Sequence, residues 1–521
     1  MSWPATLFPA MQHEALFGDR VVPCFRDRPV NFHQLLTDSA TRVPDGEAVV
    51  MGDIRLTWSL LAAECDRIAH ALAANDVGPG DRVMILMNNA PGFLITLLAV
   101  ARLGAISVPF SVRASAEEVG FVLDDSGTKA VVHDGQQDTR LPAGSAATFH
   151  KFSELTGNGT LPDCVSDEQE PAFIVYTSGT TGRPKGAVLA HINIVHAALY
   201  YEAAMQVTSN DRIIAAVPLN HVTGIAALIA TSVRAGACLI LMDVFKTRPF
   251  LDLAEAERMT YTLMVPAMYN LCLLQPEFAN RSLGAWRLAA YGGAPMPEPT
   301  IRKLAAAIPG LQFANCYGAT ETIVAQLITP PEFAYDKREY VGCPLPGTTT
   351  LIMDADGVEV PTGTPGELWL SGPNVVRGYW GNADATAKAF QGGYWKSGDI
   401  GLADADGFVK VLDRAKDMVN RGGLKIYSAE LENVLTDHPD VAEAAIIARP
   451  CPVLGERVHA VIVMKSDVDQ ATLSALCAER LSDYKVPETW TLTSDPLPRN
   501  PNGKVDKKVL RKQVLATLGT A

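Results

Sequence analysis

Strand-like runs alternate with helical patterns through the N-terminal part of the chain, and glycine or proline punctuates the changes. RVMILM (82–87), AISVPF (105–110) and KAVVHD (129–134) read as strands, while PGFLITLLAVARLG (91–104) reads as a helix between the first two. Strands in this rhythm pair parallel, because a crossover helix returns the chain to the same end of the sheet before each new strand. The rhythm resumes with DRIIAAVPL (211–219), CLILMD (238–243), TYTLMV (260–265), RLAAYGG (287–293) and FANCYG (313–318). The expectation is an α/β fold with two similar, mostly parallel sheet layers covered by helices.

After about Gly342 the texture changes to short strands separated by turn dipeptides. Asp354-Ala355-Asp356-Gly357 and Asp404-Ala405-Asp406-Gly407 lack the third acidic or amide ligand and the bidentate glutamate of a calcium loop, so both read as hairpin turns. From about Lys425 a smaller α+β unit follows: a helix from Ser428, strands AAIIAR (444–449) and HAVIVMK (459–465), a helix from Asp469 and a basic tail. The chain is too long for one core. The expected division is a large N-terminal domain, 1–413, of stacked αβα sheets with a β-rich part at about 342–413, then a joint at 414–424 and a C-terminal domain at 425–521.

A net charge of -13 argues against a nucleic-acid partner, which would call for a basic stripe, and favours a small ligand. The nine cysteines stand singly, with neither Cys-x-x-Cys nor zinc-ligand spacing, as expected in a reducing compartment without a structural metal. The N-terminus lacks a basic region followed by an apolar run, and the apolar windows 83–110 and 222–241 are interrupted by Asn88, Pro91, Arg102, Arg234 and Gly236. No signal peptide, no membrane span and a cytoplasmic location are expected. A homodimer is compatible with the sequence.

One stretch is built for an anion. In YTSGTTGRPKGAV (176–188), strand PAFIVYT runs into Thr177, Ser178, Gly179, Thr180, Thr181 and Gly182, whose backbone N–H groups can surround a phosphate while Lys185 supplies charge. The expected context is strand, loop, helix. The spacing is not that of a P-loop ATPase: Arg183 and Pro184 precede Lys185, and Gly186 follows it. A flexible serine- and glycine-rich surface loop is the plainer alternative.

From Ser178 to Gly186 the chain resembles the phosphate loop of the adenylate-forming superfamily, which includes acyl-CoA synthetases, the adenylation domains of peptide synthetases and beetle luciferases. Further motifs follow in that family's order over essentially the whole chain. YGATET (317–322) is similar to the segment in which tyrosine stacks on adenine, threonine touches the α-phosphate and glutamate helps hold Mg²⁺; the resemblance puts these roles on Tyr317, Thr320 and Glu321, with Gly318 beside them. Gly292, Gly293 and Ala294 of YGGAP match the run along adenine and the acyl pocket. Asp399 matches the carboxylate that accepts from both ribose hydroxyls, and Arg414 the arginine near ribose and phosphate, with Asp413 where the family usually has glycine. Lys416 falls on the hinge residue, a position held by aspartate in many acyl-CoA synthetases. Gly423 matches the glycine that lets the pantetheine thiol pass, and Lys504, in PNGK, the catalytic lysine. His221, Val222, Gly224, Ala319 and Ile323 match the acyl-pocket wall, with His221 as its gate. Taken alone, several of these are ordinary turn or core residues, and Lys507, Lys508, Arg511 and Lys512 read as a solvated run.

The resemblance implies a mobile C-terminal domain and ATP, Mg²⁺ and coenzyme A as ligands. A carboxylate is a poor electrophile, so ATP first converts it to acyl-AMP with release of pyrophosphate, and a thiol then takes the acyl group. The expected catalysis is charge neutralisation and alignment. The stretch HVTGIAALIATSV (221–233) has no lysine or arginine, which favours an apolar fatty or aromatic monocarboxylate. Two other readings stay open: loading of a carrier protein's phosphopantetheine, and a non-catalytic nucleotide-binding relative.

Overall fold

The computed structural model describes residues 3–4, 6–137, 140–142, 144–159, 161, 163–164, 166–177, 183–294, 296–499 and 505–518. The chain forms two compact units: 1–350, 369–396 and 404–409 make one, and 351–368, 397–403 and 410–521 the other.

In the first unit the expected two sheet layers are present. A six-stranded sheet has the order Lys185–Ala190, Pro171–Thr177, Ile106–Pro109, Arg82–Leu86, Ala130–His133, Thr148–Lys151. A nine-stranded sheet runs from Cys343–Pro344 through Leu327–Ile328, Gln312–Tyr317, Leu288–Gly292, Tyr261–Met264, Arg212–Ala215, Cys238–Leu241 and Glu47–Met51 to Ile54–Thr57, with its central strands parallel. Alternate residues on each strand serve different layers, as a period of two requires. Val83 and Ile85 join Val49, Ile213 and Leu239 in a core between the sheets, filled by helices Phe32–Arg42, Trp58–Ala74, Pro91–Arg102 and His191–Ala204. Their neighbours Met84 and Leu86 face helix Ala116–Ser126, and Val50, Ile214 and Ile240 face helices Thr247–Ala256, Pro266–Leu273 and Glu298–Ala307. The layers thus alternate helix, sheet, helix, sheet, helix. Helix Pro91–Arg102 is buried from Gly92 to Ala101, as a helix between two sheets must be.

The phosphate-loop stretch departs from the strand, loop, helix expectation. Pro171–Thr177 and Lys185–Ala190 are antiparallel partners, with Thr177 opposite Lys185 and Tyr176 opposite Gly186. The stretch therefore joins the arms of a hairpin, and the helix His191–Ala204 starts only after the second arm. The cause is the apolar run after Lys185: Gly186 through Ala190 are buried on the sheet. Their outer edge is also covered, since the Val188 N–H donates to Gly378 O (3.0 Å) and the Trp380 N–H to Gly186 O (2.7 Å).

Strands Thr349–Met353, Gly366–Ser371, Tyr394–Ala403 and Phe390–Gln391 form a third sheet in that order, with Val409–Arg414 on Tyr394–Ala403. Both acidic dipeptides are turns. Asp354 Oδ1 accepts from the N–H groups of Asp356 and Val358, and Asp404 Oδ1 from those of Asp406 and Phe408. The second turn also holds a cation of its own: Lys337 Nζ lies 2.6 Å from Asp404 Oδ2 and 3.0 Å from Asp406 Oδ2, over the Phe408 ring.

The second unit carries a five-stranded sheet ordered Leu424–Ile426, Val419–Arg421, Gly455–Met464, Val441–Cys451, with Thr489–Thr493 parallel on Gly455–Met464. Helices Ser428–Thr436 and Gln470–Arg480 pack Leu431, Leu435, Leu473 and Cys477 against Ile446, Val458 and Ile462. In the basic tail Lys508 and Lys512 are exposed, as a solvated run requires, but Lys507 and Arg511 are tied down. Residues Lys507–Leu518 are helical, and Leu510 and Val514, one turn apart, pack on Ala445, Ile447, Val461 and Val463. Lys507 pairs with Glu432 at 2.6 Å and donates to Ser428 Oγ, while Arg511 donates to Ala448 O.

Candidate active site

The parallel pairing of Leu288–Gly292 with Gln312–Tyr317 puts Gly292 opposite Cys316, so YGG and YGATET leave the nine-stranded sheet at the same, C-terminal edge. Open parallel sheets bind ligands outside that edge. Two glycines are fixed there by close approach: a Cβ on Gly292 would lie 2.5 Å from Cys316 O, and one on Gly318 2.6 Å from Val324 O.

Beyond Gly318 the chain turns tightly. Thr322 Oγ1 accepts from the Ala319 N–H (2.9 Å), and the Ile323 N–H donates to Ala319 O (3.0 Å). Ile323 has φ +59°, left-handed backbone that a β-branched residue adopts only under restraint. The restraint comes from outside the turn: Asn374 Nδ2 donates to Thr322 O (2.8 Å), and the Val376 N–H to Glu321 O (3.0 Å). Thr320 is half-buried and Glu321 is 8% exposed.

Glu321 meets the phosphate hairpin through a residue the sequence reading passed over. The Tyr379 O–H donates to Glu321 Oε1 at 2.7 Å, and Lys185 Nζ lies 5.2 Å from the centre of the same ring. Burial and then the Glu321 charge push the Tyr379 phenol far above its ordinary value, so it acts as a donor. Ser178, Gly179, Thr180, Thr181, Gly182 and Lys504 lie outside the described residues.

His221 stands at the start of a π-helix, Thr223–Ala230, a rare form that concentrates at functional sites. Its carbonyl accepts from the Ile225 N–H (2.9 Å). A Cβ on Gly224 would lie 2.6 Å from both Leu219 Cα and Pro218 O, so only glycine allows this crossing. Buried Asn89 holds the approach to His221: its Nδ2 donates to Val217 O (2.9 Å) and Met242 O (3.0 Å), and its Oδ1 accepts from the Leu219 N–H (2.9 Å). Val222 and Ile323 share the central core with this helix, whereas Ala319 packs with Tyr317 near Leu370, Val375 and Trp395. Ala294 and Gly293 are exposed beside Gly292.

In the second unit Asp399, 6% exposed, pairs with Arg414 (Nε to Oδ1 3.1 Å), whose own side chain is half exposed. Asp413, in place of the family's glycine, is buried and has a definite task. It accepts from the Arg414 N–H (2.8 Å), the Ser428 hydroxyl (3.0 Å) and the Ser428 N–H, and so fastens this strand to the first turn of helix Ser428–Thr436. Burial raises its carboxyl, opposed by Lys507. Lys416 is exposed in the turn that follows. Gly422 and Gly423 have φ +59° and +91° in a two-residue hairpin turn; that conformation alone calls for glycine, and a Cβ on Gly423 would meet nothing within 4 Å.

The donor set fits a hard divalent cation. Glu321 offers carboxylate oxygen beside a lysine suited to phosphates, and no cluster of three or more His, Cys, Asp or Glu that could hold a metal occurs among the described residues. A magnesium ion here would draw its other oxygens from substrate phosphates and water.

The family of AMP-binding enzymes matches residues 36–380, and its C-terminal domain family matches 430–504. This chain belongs to the AMP-binding enzymes. Relatives within the family include a feruloyl-CoA synthase from Amycolatopsis sp, 34% identical over 475 residues, spanning 90% of this chain and 96% of that protein. The long-chain-fatty-acid–CoA ligase FadD13 of Mycobacterium tuberculosis is 32% identical over 506 residues, spanning 94% and 99%. Among solved structures, O-succinylbenzoate coenzyme A synthetase from Bacillus subtilis in complex with ATP and magnesium ion superposes with a TM-score of 0.85 at 30% identity, covering 93% of this chain and 99% of that one. Tyr379, Asn89 and Asn374 are residues beside the site that sequence reading missed, whereas Asp413 stood out as a departure from the usual glycine without its hydrogen-bonding task being legible.

Proposed function

We propose that this AMP-binding enzyme is an acid–thiol ligase that activates a carboxylic acid with ATP and passes it to coenzyme A. The observation that carries the reading is the meeting of Lys185 and Glu321 across Tyr379: a cation suited to phosphates and a carboxylate suited to magnesium share one side chain. The acid's carboxylate oxygen attacks the α-phosphorus, the bond to the bridging oxygen breaks, and pyrophosphate leaves with that electron pair. The thiol sulfur then attacks the acyl carbon, AMP leaves, and the thiol proton passes to solvent.

In this reading residues 177–182 and Lys185 hold the departing phosphates, Tyr317 and Gly292 to Ala294 lie along adenine, and Thr320 orients the α-phosphate. Lys504 neutralises the two anions that must meet. Magnesium bound at Glu321 supplies positive charge to the phosphates. Asp399 accepts from the ribose hydroxyls with Arg414 beside it, His221 gates the acid, Lys416 is the hinge and Gly423 lies on the thiol path. The functional division is 1–413, 414–424 and 425–521.

The substrate class is an apolar monocarboxylate, fatty or aromatic. The 221–233 stretch has no lysine or arginine for a second carboxylate, and relatives are named for ferulate and long-chain fatty acids. No helix among the described residues is long and apolar enough to cross a membrane. The singly placed cysteines suit a reducing compartment, and on that ground we place the reaction in the cytoplasm.

The test is pyrophosphate release by the purified chain with ATP, Mg²⁺ and a panel of fatty, aryl and dicarboxylic acids, followed by thioester yield with free coenzyme A and with a phosphopantetheinyl carrier protein. Release with an apolar acid and thioester on free coenzyme A is expected. Thioester on the carrier alone would transfer the assignment to carrier loading, and no release with any acid would overturn the ligase reading.

A further inference from the structure

We propose that Tyr379 is a positioning residue that couples the grip on the triphosphate to the metal-holding carboxylate: its O–H fixes Glu321 and its ring face seats the Lys185 ammonium. The inference rests on the ligase reading above, and it adds a residue outside the motifs read from the sequence.

Tyr379 is itself held on several sides. Its N–H donates to Thr386 Oγ1 (3.0 Å), its ring meets Phe390 edge to face at 5.8 Å, and its backbone forms a bridge with Ala187 on the second arm of the phosphate hairpin. Its neighbours tie down the same arm, Gly378 O by accepting from the Val188 N–H and the Trp380 N–H by donating to Gly186 O. Two residues before Gly378, the Val376 N–H donates to Glu321 O. The segment 376–380 thus fastens the backbone of the hairpin and the backbone of the YGATET turn, and Tyr379 repeats that connection through its side chain.

The chemistry follows from the two contacts. A carboxylate with one oxygen engaged by a phenol is turned in a fixed direction, and partners of this kind tune metal sites strongly. The ring face attracts the lysine ammonium without neutralising it, which leaves its charge for an anion. A plain buried tyrosine would also find a partner for its O–H; what sets the two roles apart is a response to magnesium.

The test uses Tyr379→Phe, which keeps the ring and removes the O–H, and Tyr379→Leu, which removes both. Loosening Glu321 is expected to raise the Mg²⁺ concentration for half-maximal pyrophosphate release about tenfold in Tyr379→Phe, a larger change than any in the KM for the acid. Tyr379→Leu is expected to add a rise of about tenfold in the KM for ATP, as Lys185 loses its platform. Calorimetric titration of ATP at stepped Mg²⁺ reads the same coupling without turnover, and there the Mg²⁺ dependence of ATP affinity shifts in Tyr379→Phe. Should Tyr379→Leu fail to fold, Tyr379→Phe decides alone. Wild-type Mg²⁺ dependence in Tyr379→Phe, or equal losses toward ATP, acid and coenzyme A, would overturn the assignment while leaving the ligase reading intact. Shifted ATP binding in a protein that releases no pyrophosphate with any acid would uphold Tyr379 and remove the ligase.

Discussion

Replacing Asn89 with alanine asks how the segment before His221 is held. The amide makes hydrogen bonds to Val217 O, Met242 O and the Leu219 N–H, all on buried residues, and so ties together two strand ends and the approach to the π-helix. At about 1 kcal/mol net for each bond, and more for a buried group left without a partner, the loss sums to about 3 kcal/mol. Large domains lose about 2 °C per kcal/mol, so the first thermal transition should fall by about 6 °C. Steady-state kinetics then separates stability from function. If the segment positions His221, Val222 and Gly224 for the acid, the KM for the acid rises about tenfold, equivalent to about 1.4 kcal/mol, while the KM for ATP stays within about twofold. An unchanged melting temperature would refute the hydrogen-bond argument. Equal rises in both KM values would refute the link from Asn89 to the acid pocket.

Three further outcomes are expected. Gly224→Ala forces a Cβ to within 2.6 Å of the Leu219 and Pro218 backbone; acid KM measurements should show a larger rise than for Asn89→Ala, and a wild-type value would show that the crossing can relax. Lys504→Ala should abolish acyl-AMP formation, followed by pyrophosphate release, far more than thioester formation from supplied acyl-AMP; equal loss of both half-reactions would remove Lys504 from the adenylation step. His196, stacked on Phe25 and accepting its N–H, has a pKa lowered to about 3 by burial, with Ile192 O, Arg28 and Glu14 as its other influences. A depressed histidine stabilises the fold above its unfolded pKa of about 6.5, and the contribution is lost as pH falls from there toward about 3. The melting temperature should therefore drop between pH 7 and pH 5, and His196→Gln should flatten that slope; an identical slope would assign the acid sensitivity elsewhere.

Much of the fold could be read locally, because parallel strands buried on both faces announce themselves as short apolar runs between glycines and prolines. The strands 82–86, 238–241 and 288–292 fall inside the runs that predicted them. The hairpin at 171–190 was hidden for a local reason: KGAVLA passes into the helix His191–Ala204 without a breaking residue, so strand and helix merge in the sequence. The C-terminal helix was hidden because, among its described side chains, only Leu510 and Val514 reach the core, and the carboxylates that pair with it, Glu432 and Glu456, come from distant elements. The site shows the same divide. Tyr317, Glu321 and Lys185 announce themselves by motif, whereas Tyr379 reaches Glu321 across 58 positions and Asn89 reaches Leu219 across 130. No periodicity encodes such pairs.

The turn at Asp404 carries a consequence for how the protein meets its surroundings. Lys337 is joined to the chain that presents Asp404 and Asp406, so its effective concentration at the turn is set by chain geometry and not by what is dissolved around it. A metal loop empties under a chelator and fills again with the next calcium pulse. A tethered ammonium does neither, and this hairpin keeps one shape through ionic fluctuations that would toggle a sensor.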